Sequence, residues 1–169
     1  GALHPEELQK AVVCNNADLG FAFDGDADRV IAADDNGRLV DGDGILYVLA
    51  KALLADNALV NNTVVATVMT NSGIEAAFRA AKINLIRVSV GDHNVAAELL
   101  KKGYSLGGEQ SGHIIIMDKT HRTGDGIRSA LFLIKAFLES GSETLSSLAN
   151  SINKYPQLIA SCYVESKPD

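Results

Sequence analysis

The feature that most constrains this chain is Asp24-Gly25-Asp26-Ala27-Asp28-Arg29, which lies between two apolar runs, Leu19 to Phe23 and Val30 to Ala33. Aspartates at i, i+2 and i+4 in a tight loop let three hard oxygen ligands converge on one divalent cation. Gly25 and Ala27 add no bulk, and Gly25 tolerates unusual dihedrals. Without a cation the three charges repel. With a strand leading in and another leading out, the loop should be rigid, which argues against a merely solvated acidic turn. Asp34-Asp35-Asn36-Gly37 then signals a hairpin ahead of Leu39-Val40, because Asn-Gly readily takes positive φ.

The charge distribution agrees. The 169-residue chain carries a formal charge of −6. Residues 18 to 43 hold eight aspartates against Arg29 and Arg38, which accounts for all of it. Asp24, Asp26 and Asp28 are expected to face the cation, Asp34 and Asp35 to form a solvated turn, and Asp41 and Asp43 to form the approach and cap of the next helix. A chain without a Lys/Arg cluster lacks the basic patch that phosphate-backbone binding needs, so no nucleic-acid partner is expected. With 47% hydrophobic and 21% charged residues it is an ordinary globular sequence, large enough for one good core and part of a second. The apolar stretches Ile45 to Leu54 and Ala130 to Leu138 are too short to cross a bilayer and contain Lys51 and Lys135, so no membrane partner is expected. The N-terminus has neither the basic region nor the apolar run of a secretory signal, so a cytoplasmic chain is expected. Cys14 and Cys162 are then free thiols.

Beyond the hairpin, β-rich and helical patterns alternate. Ile45 to Leu54 is helical with Asp43 placed to cap it. Thr63 to Met69 is strand-like, Ile74 to Ala81 helical, Leu85 to Val90 a strand, and Val95 to Lys102 a helix ending at Gly103. His113 to Met117 reads as a strand, Ile127 to Leu138 as a long amphipathic helix, Thr144 to Ile152 as a short one, and Leu158 to Val164 as a terminal strand or linker. This order predicts an α/β fold: a mixed, mostly parallel sheet with helices on both faces, and active groups in loops after the carboxyl ends of strands. Three loops fit: 70–73, 91–94 and the one around Glu109.

Two rival readings of the triplet fit its residues less well. A calcium EF-hand loop needs Gly at its sixth position and Glu at its twelfth, where this chain has Arg29 and Asp35. A haloacid-dehalogenase-type phosphatase would use Asp24 as nucleophile and Asp26 as acid/base. However, Ala27-Asp28 stands where such enzymes usually carry Gly-Thr, and Arg29 has no place in that pattern.

Ala22-Phe23-Asp24-Gly25-Asp26-Ala27-Asp28-Arg29 resembles the metal loop of the α-D-phosphohexomutases, which usually reads DGDGDR or DGDADR. Gly108-Glu109-Gln110-Ser111-Gly112-His113 resembles the same family's sugar-binding loop, GE-x-SGH. Carried over by position, the resemblance implies that Asp24, Asp26 and Asp28 ligate Mg²⁺ and that Arg29 is the adjacent cation on the substrate side. It further implies that Glu109 and Ser111 bind sugar hydroxyls and that His113 is a further contact, with Arg29 and His113 the candidates for catalysis. A carboxylate can accept from two vicinal hydroxyls, a serine can donate or accept, and glycines permit close approach. A dinucleotide loop is excluded because Ile114-Ile115-Ile116 continues as a strand. Val65 to Gly73, Gln110 and Thr123 to Ile127 are similar to the phosphoglucosamine mutase branch of the family. The phosphomannomutase/phosphoglucomutase branch is the alternative. One segment departs: in Val90-Gly91-Asp92-His93-Asn94-Val95, His93 and Asn94 replace the usual Arg and Tyr, removing a fixed planar cation.

The resemblance divides the chain into the end of a second domain carrying the metal loop (1–40), a third domain with the sugar-binding loop (41–155), and a linker towards a fourth (156–169). No serine loop of the TASHNP kind and no phosphate loop of the RxSGTEP kind occur in it. The implied reaction therefore takes a hexosamine phosphate as substrate and a phosphoserine outside this chain, with the remaining domains of the enzyme as partners and the isolated chain inactive. A non-catalytic module binding metal or sugar phosphate is the reading from a different class.

Overall fold

The computed structural model describes residues 2, 4–149, 152–158 and 160. Its elements run α1 (Glu6–Cys14), β1 (Leu19–Phe23), β2 (Val30–Asp34), β3 (Leu39–Val40), α2 (Gly42–Ala55), a short 3-10 turn, β4 (Thr63–Thr67), α3 (Ser72–Ala80), β5 (Asn84–Val88), α4 (Asp92–Lys102), β6 (Leu106–Gly108), β7 (Ile114–Ile116), α5 (Gly126–Glu139) and α6 (Leu145–Ala149). The first three strands form an antiparallel sheet in the order β1-β2-β3; the others form a sheet in the order β5-β4-β6-β7. In that second sheet β4 pairs parallel with β5 and β6, while β6 and β7 are antiparallel. The fold is thus α/β, with a mixed, mostly parallel sheet.

Burial explains the layering. β4 is buried at all five positions, as a central strand covered on both faces must be. Val64 and Ala66 face one way, into the core shared with Ile74 and Phe78 of α3 and with α2. Val65 faces the other way, against Val95 and Leu99 of α4. Helices therefore cover both faces. α2 has nine consecutive buried residues, Gly42 to Ala50, because it is packed between the two sheets. Val30, Ala32 and Val40 of the antiparallel sheet join the same core, and α1 covers that sheet's other face, with Leu8 and Val12 filling the space above Gly20. Each fully buried Leu, Ile or Phe of this core contributes roughly 1.5–3 kcal/mol.

Several expectations are corrected. The N-cap of α2 is Asp41, which accepts from the Gly44 N–H at 3.1 Å, and Asp43 lies buried in the first turn. Asp34 is not solvated: it is 3% exposed and accepts from the Asn36 and Arg38 N–H groups. Asp35 reaches Ser146, accepting from its N–H at 2.9 Å and its hydroxyl at 3.0 Å. Burial raises the Asp35 pKa, but the Ser146 bonds outweigh it and hold the carboxyl below its ordinary range. In the hairpin turn, positive φ is carried by Gly37 alone (φ 70°). β4 ends two residues earlier than its apolar pattern because the chain turns at Thr67, whose carbonyl accepts from Thr70, and β5 also ends two residues early, at Val88. Leu158 has no regular structure, and most of the expected terminal strand, with Cys162, lies outside the described residues. Cys14 is an exposed free thiol. Among the described residues no helix is long and apolar enough to cross a membrane.

Candidate functional site

The acid triplet is formed by the chain reversing between β1 and β2, whose register pairs Phe23 with Val30. That short connection, with Ala27 at φ 60°, brings one carboxylate oxygen each from Asp24, Asp26 and Asp28 within 4.8 Å of one another. Arg29 closes the group: its Nε is 2.5 Å from Asp24 Oδ2 and 3.6 Å from Asp28 Oδ1, and its main-chain N–H donates to Asp24 Oδ1 at 3.2 Å. Burial pushes the Asp28 pKa up, as do the hydrogen bond with Asp24 and the charges of Asp24 and Asp26, while His113 pulls it down. For Asp24 burial acts upward, but hydrogen bonds from the Arg29 backbone and side chain and from Asp28 outweigh it and leave the pKa low. Packed this closely, the three acidic groups repel one another, and a divalent cation held between them would relieve that repulsion. Three converging hard oxygens fit Mg²⁺ or Ca²⁺ by ligand type.

The loop after β6 sits directly beside the triplet. It is closed by Gly112 N–H to Glu109 C=O and by Glu109 N–H to His113 C=O, both 3.0 Å. One side is fastened to the triplet's exit strand: the Val30 N–H donates to the Gly112 carbonyl at 3.1 Å, and Arg29 forms a bridge with His113. The other side rests on the start of α2, where the Gly42 N–H donates to the Gln110 carbonyl at 3.0 Å. A Cβ on Gly42 would stand 1.9 Å from the Glu109 carbonyl oxygen, so only glycine permits this approach. The start of α5 braces the triplet from a third direction, with the Gly126 N–H donating to the Ala27 carbonyl at 2.9 Å.

The predicted site residues divide into two groups. Glu109 and Ser111, with Asp41, Ile31, Met69 and Val90, line a cleft of about 530 Å³. Its position, at the carboxyl ends of β4 and β6 where the crossovers diverge to opposite sides of β4, is where open α/β sheets bind ligands. Glu109 Oε1 accepts from the Gly91 N–H at 3.0 Å, and Ser111 Oγ is 3.5 Å from Glu109 Oε2. His113 is instead 4% exposed and outside the cleft lining, with Nε2 3.5 Å from Asp28 Oδ2, Gly124 packed on its ring, and Nδ1 without a hydrogen-bond partner among the described residues. Asp24, Asp26, Asp28 and Arg29 adjoin the cleft's loop without lining the cleft itself.

Some of this was missed from sequence. Loop 90–95 carries His93 and Asn94 where the family resemblance implies Arg and Tyr, and Gly91 orients Glu109 through a main-chain N–H, which no side-chain motif advertises. His93 and Asn94 only fold back on their own loop, His93 N–H to Asp92 at 2.7 Å and Asn94 to the Val90 carbonyl at 3.0 Å. The acceptor role of Asp43 towards the Asn71 N–H at 2.9 Å was also unforeseen.

The family model for phosphoglucomutase/phosphomannomutase, alpha/beta/alpha domain III, matches residues 41–155. Over 167 residues the chain is 50% identical to a phosphoglucosamine mutase of Limosilactobacillus reuteri and 52% identical to one of Thermoanaerobacter sp. strain X514. It spans 99% of itself but 37% of each relative's length. Among solved structures, a phosphoglucomutase/phosphomannomutase family protein of Burkholderia thailandensis superposes with a TM-score of 0.74 at 27% identity, covering 90% of this chain and 33% of that one. The fold is shared at 19% identity, with a TM-score of 0.61, by Aspergillus fumigatus N-acetylphosphoglucosamine mutase in complex with GlcNAc-6P and magnesium, covering 80% of this chain and 33% of that one. The domain that carries the cleft, the loop that closes it and the likeness of the whole chain to these relatives make this chain a member of the phosphoglucomutase/phosphomannomutase family.

Proposed function

We propose that the chain is the metal- and sugar-binding portion of a phosphoglucosamine mutase, an enzyme that interconverts glucosamine 6-phosphate and glucosamine 1-phosphate. The observation that carries this reading is the direct attachment of the acid triplet to the 108–113 loop, through the Arg29–His113 bridge and the Val30–Gly112 hydrogen bond. A cation site and a hydroxyl-binding site thereby share one stretch of backbone. The relatives named phosphoglucosamine mutase, at about half identity over the whole chain, favour an amino sugar.

Asp24, Asp26 and Asp28 would hold Mg²⁺, which when bound neutralises charge on the transferring phosphoryl group. Arg29 holds Asp24 and Asp28 in place, and His113 holds Asp28 from its buried side. Glu109, oriented by Gly91, presents its carboxylate to vicinal hydroxyls, and Ser111 supplies a hydroxyl that can donate or accept. In the reaction the P–O bond of a phosphoserine outside this chain breaks as an O–P bond forms to the free sugar hydroxyl. The resulting 1,6-bisphosphate reorients, and the serine oxygen takes the other phosphoryl as its bond to the sugar breaks. Fixed positions for both ends of the sugar supply much of the rate.

The same reading treats residues 1–40 as the end of a second domain, 41–155 as a third, and 156–169 as a linker towards a fourth. The change from an antiparallel to a mixed sheet near residue 41 supports it. The substrate is then a hexosamine phosphate, the partners are the remaining domains of the same enzyme, the compartment is the cytoplasm, and the isolated chain is inactive. Turnover assays test this: the purified 169-residue chain should show none, while the complete enzyme carrying it should lose activity on Asp26→Asn. Turnover by the isolated chain, or full activity in Asp26→Asn, would refute the reading.

A further inference from the structure

Asp43 is a fully buried carboxylate outside the cleft lining and apart from the acid triplet. Burying such a group is costly unless hydrogen bonds offset the loss of water. Its Oδ2 accepts from the Asn71 N–H at 2.9 Å and from Gln110 Nε2 at 3.4 Å. Asn71 and Gln110 in turn hold the segment that follows α6. The Asn71 side chain accepts from the Tyr155 N–H at 3.0 Å and donates to the Tyr155 carbonyl at 2.8 Å, which is the hydrogen-bonding pattern of a strand partner supplied by one amide. Gln157 Oε1 accepts from Asn71 at 2.9 Å and from Gln110 at 3.4 Å, and its amide donates to the Met69 carbonyl at 3.2 Å. Nearby, Lys154 pairs with Asp41 at 2.5 Å, and the Asn153 carbonyl lies so close to Gly73 that a Cβ there would stand 1.9 Å from it.

We propose that Asp43, Asn71 and Gln110 form a latch that joins the 108–113 loop to segment 153–157, so that the seat of the loop and the path of the segment are set together. The proposal rests on the reading of 108–113 as the sugar-binding loop for its meaning, but its geometry stands without sugar. Gln110 belongs to both sides: its carbonyl accepts from Gly42 at the base of the loop, while its side chain reaches Asp43 and Gln157. Any displacement of the segment therefore loosens the loop, and a loop shifted by a bound sugar pulls on the segment.

The test is amide hydrogen exchange by NMR in the 169-residue chain, without sugar. Asn71→Ser keeps an N-cap for α3 and the main-chain N–H that Asp43 accepts, but is too short to reach Tyr155 or Gln157. Gln157→Ala removes the exposed end of the latch with little risk to folding. Exchange at Tyr155 should rise about tenfold or more in Asn71→Ser, and exchange at Gly42 and Gly112 should rise roughly threefold or more in both variants, with the amides of β4 unchanged. Unchanged exchange at Gly42 and Gly112 in Gln157→Ala overturns the coupling, whatever Asn71→Ser does. Because no sugar is present, that outcome is separate from a failure of the mutase reading, which turnover decides.

Discussion

Replacing Gly42 by alanine tests how the site is seated. The added Cβ would lie 1.9 Å from the Glu109 carbonyl oxygen, 2.6 Å from the Gly112 nitrogen and 2.9 Å from the Gln110 carbonyl oxygen. All three are backbone atoms of the 108–113 loop, so no side chain can rotate away. Restoring ordinary contact requires the loop to retreat by about 1.5 Å, and overpacking of this kind costs roughly 1–3 kcal/mol. Loss of the Gly42–Gln110 hydrogen bond adds about 1 kcal/mol. Alanine's better helix propensity offsets at most about 1 kcal/mol. The net loss is roughly 1–4 kcal/mol, a fall in Tm of about 3–12 °C for a domain of this size. The matched control is Gly25→Ala, where a Cβ would meet nothing within 4 Å. Thermal unfolding of both variants checks the stability term. In the complete enzyme, displacement of Glu109 by over 1 Å should reduce kcat/KM by about a hundredfold. If Gly42→Ala unfolds and turns over like Gly25→Ala, the loop does not rest on α2 as described.

Three further outcomes follow from the same geometry. Added Mg²⁺ should raise the Tm of the chain, by an amount equivalent to about 2.7 kcal/mol at a hundredfold excess over its Kd, and Asp26→Asn should abolish the rise; an equal rise in that variant argues against the triplet as the site. Ala27 sits at φ 60°, so Ala27→Gly should be neutral or stabilising by up to about 1 kcal/mol in urea unfolding, and a loss above that range contradicts the strained loop. Burial, aided by the charge of Asp41, raises the Asp43 pKa against the Asn71 hydrogen bond and the charge of Lys154. A folded pKa above the unfolded one gives a contribution present below the unfolded value and lost as pH rises through the folded one. Asp43→Asn should therefore gain stability relative to the parent as pH rises from about 4, and parallel pH curves would refute this.

How much of this was legible in the sequence depended on where each residue's partners lie. The triplet, its flanking strands and the hairpin were legible because their determinants fall within a few consecutive residues. Much of the alternation of strands and helices was legible because β4 has an apolar, β-branched interior and the covering helices show their period, but β6, Leu106-Gly107-Gly108, is too short and glycine-rich to show a strand pattern and was not expected. Asp41, not Asp43, caps the helix because the apolar period begins at Ile45 while the helix starts earlier, where Gly42 allows it to press against the 108–113 loop. Asp35 was misread as solvated because its partner, Ser146, is 111 residues away. Gly91 was missed for a different reason: it acts through a main-chain N–H, which any residue but proline could offer. His113 was legible as belonging to the site, but its burial against Asp28 is a consequence of tertiary packing by Gly124, which no local pattern encodes.

The most direct test of the central claim is the ratio of kcat/KM for glucosamine 6-phosphate and mannose 6-phosphate in the complete enzyme carrying this segment, with Mg²⁺ present. A clear preference for glucosamine 6-phosphate is expected, with both rates collapsing in Glu109→Ala. Equal rates, or faster use of the mannose sugar, would contradict it.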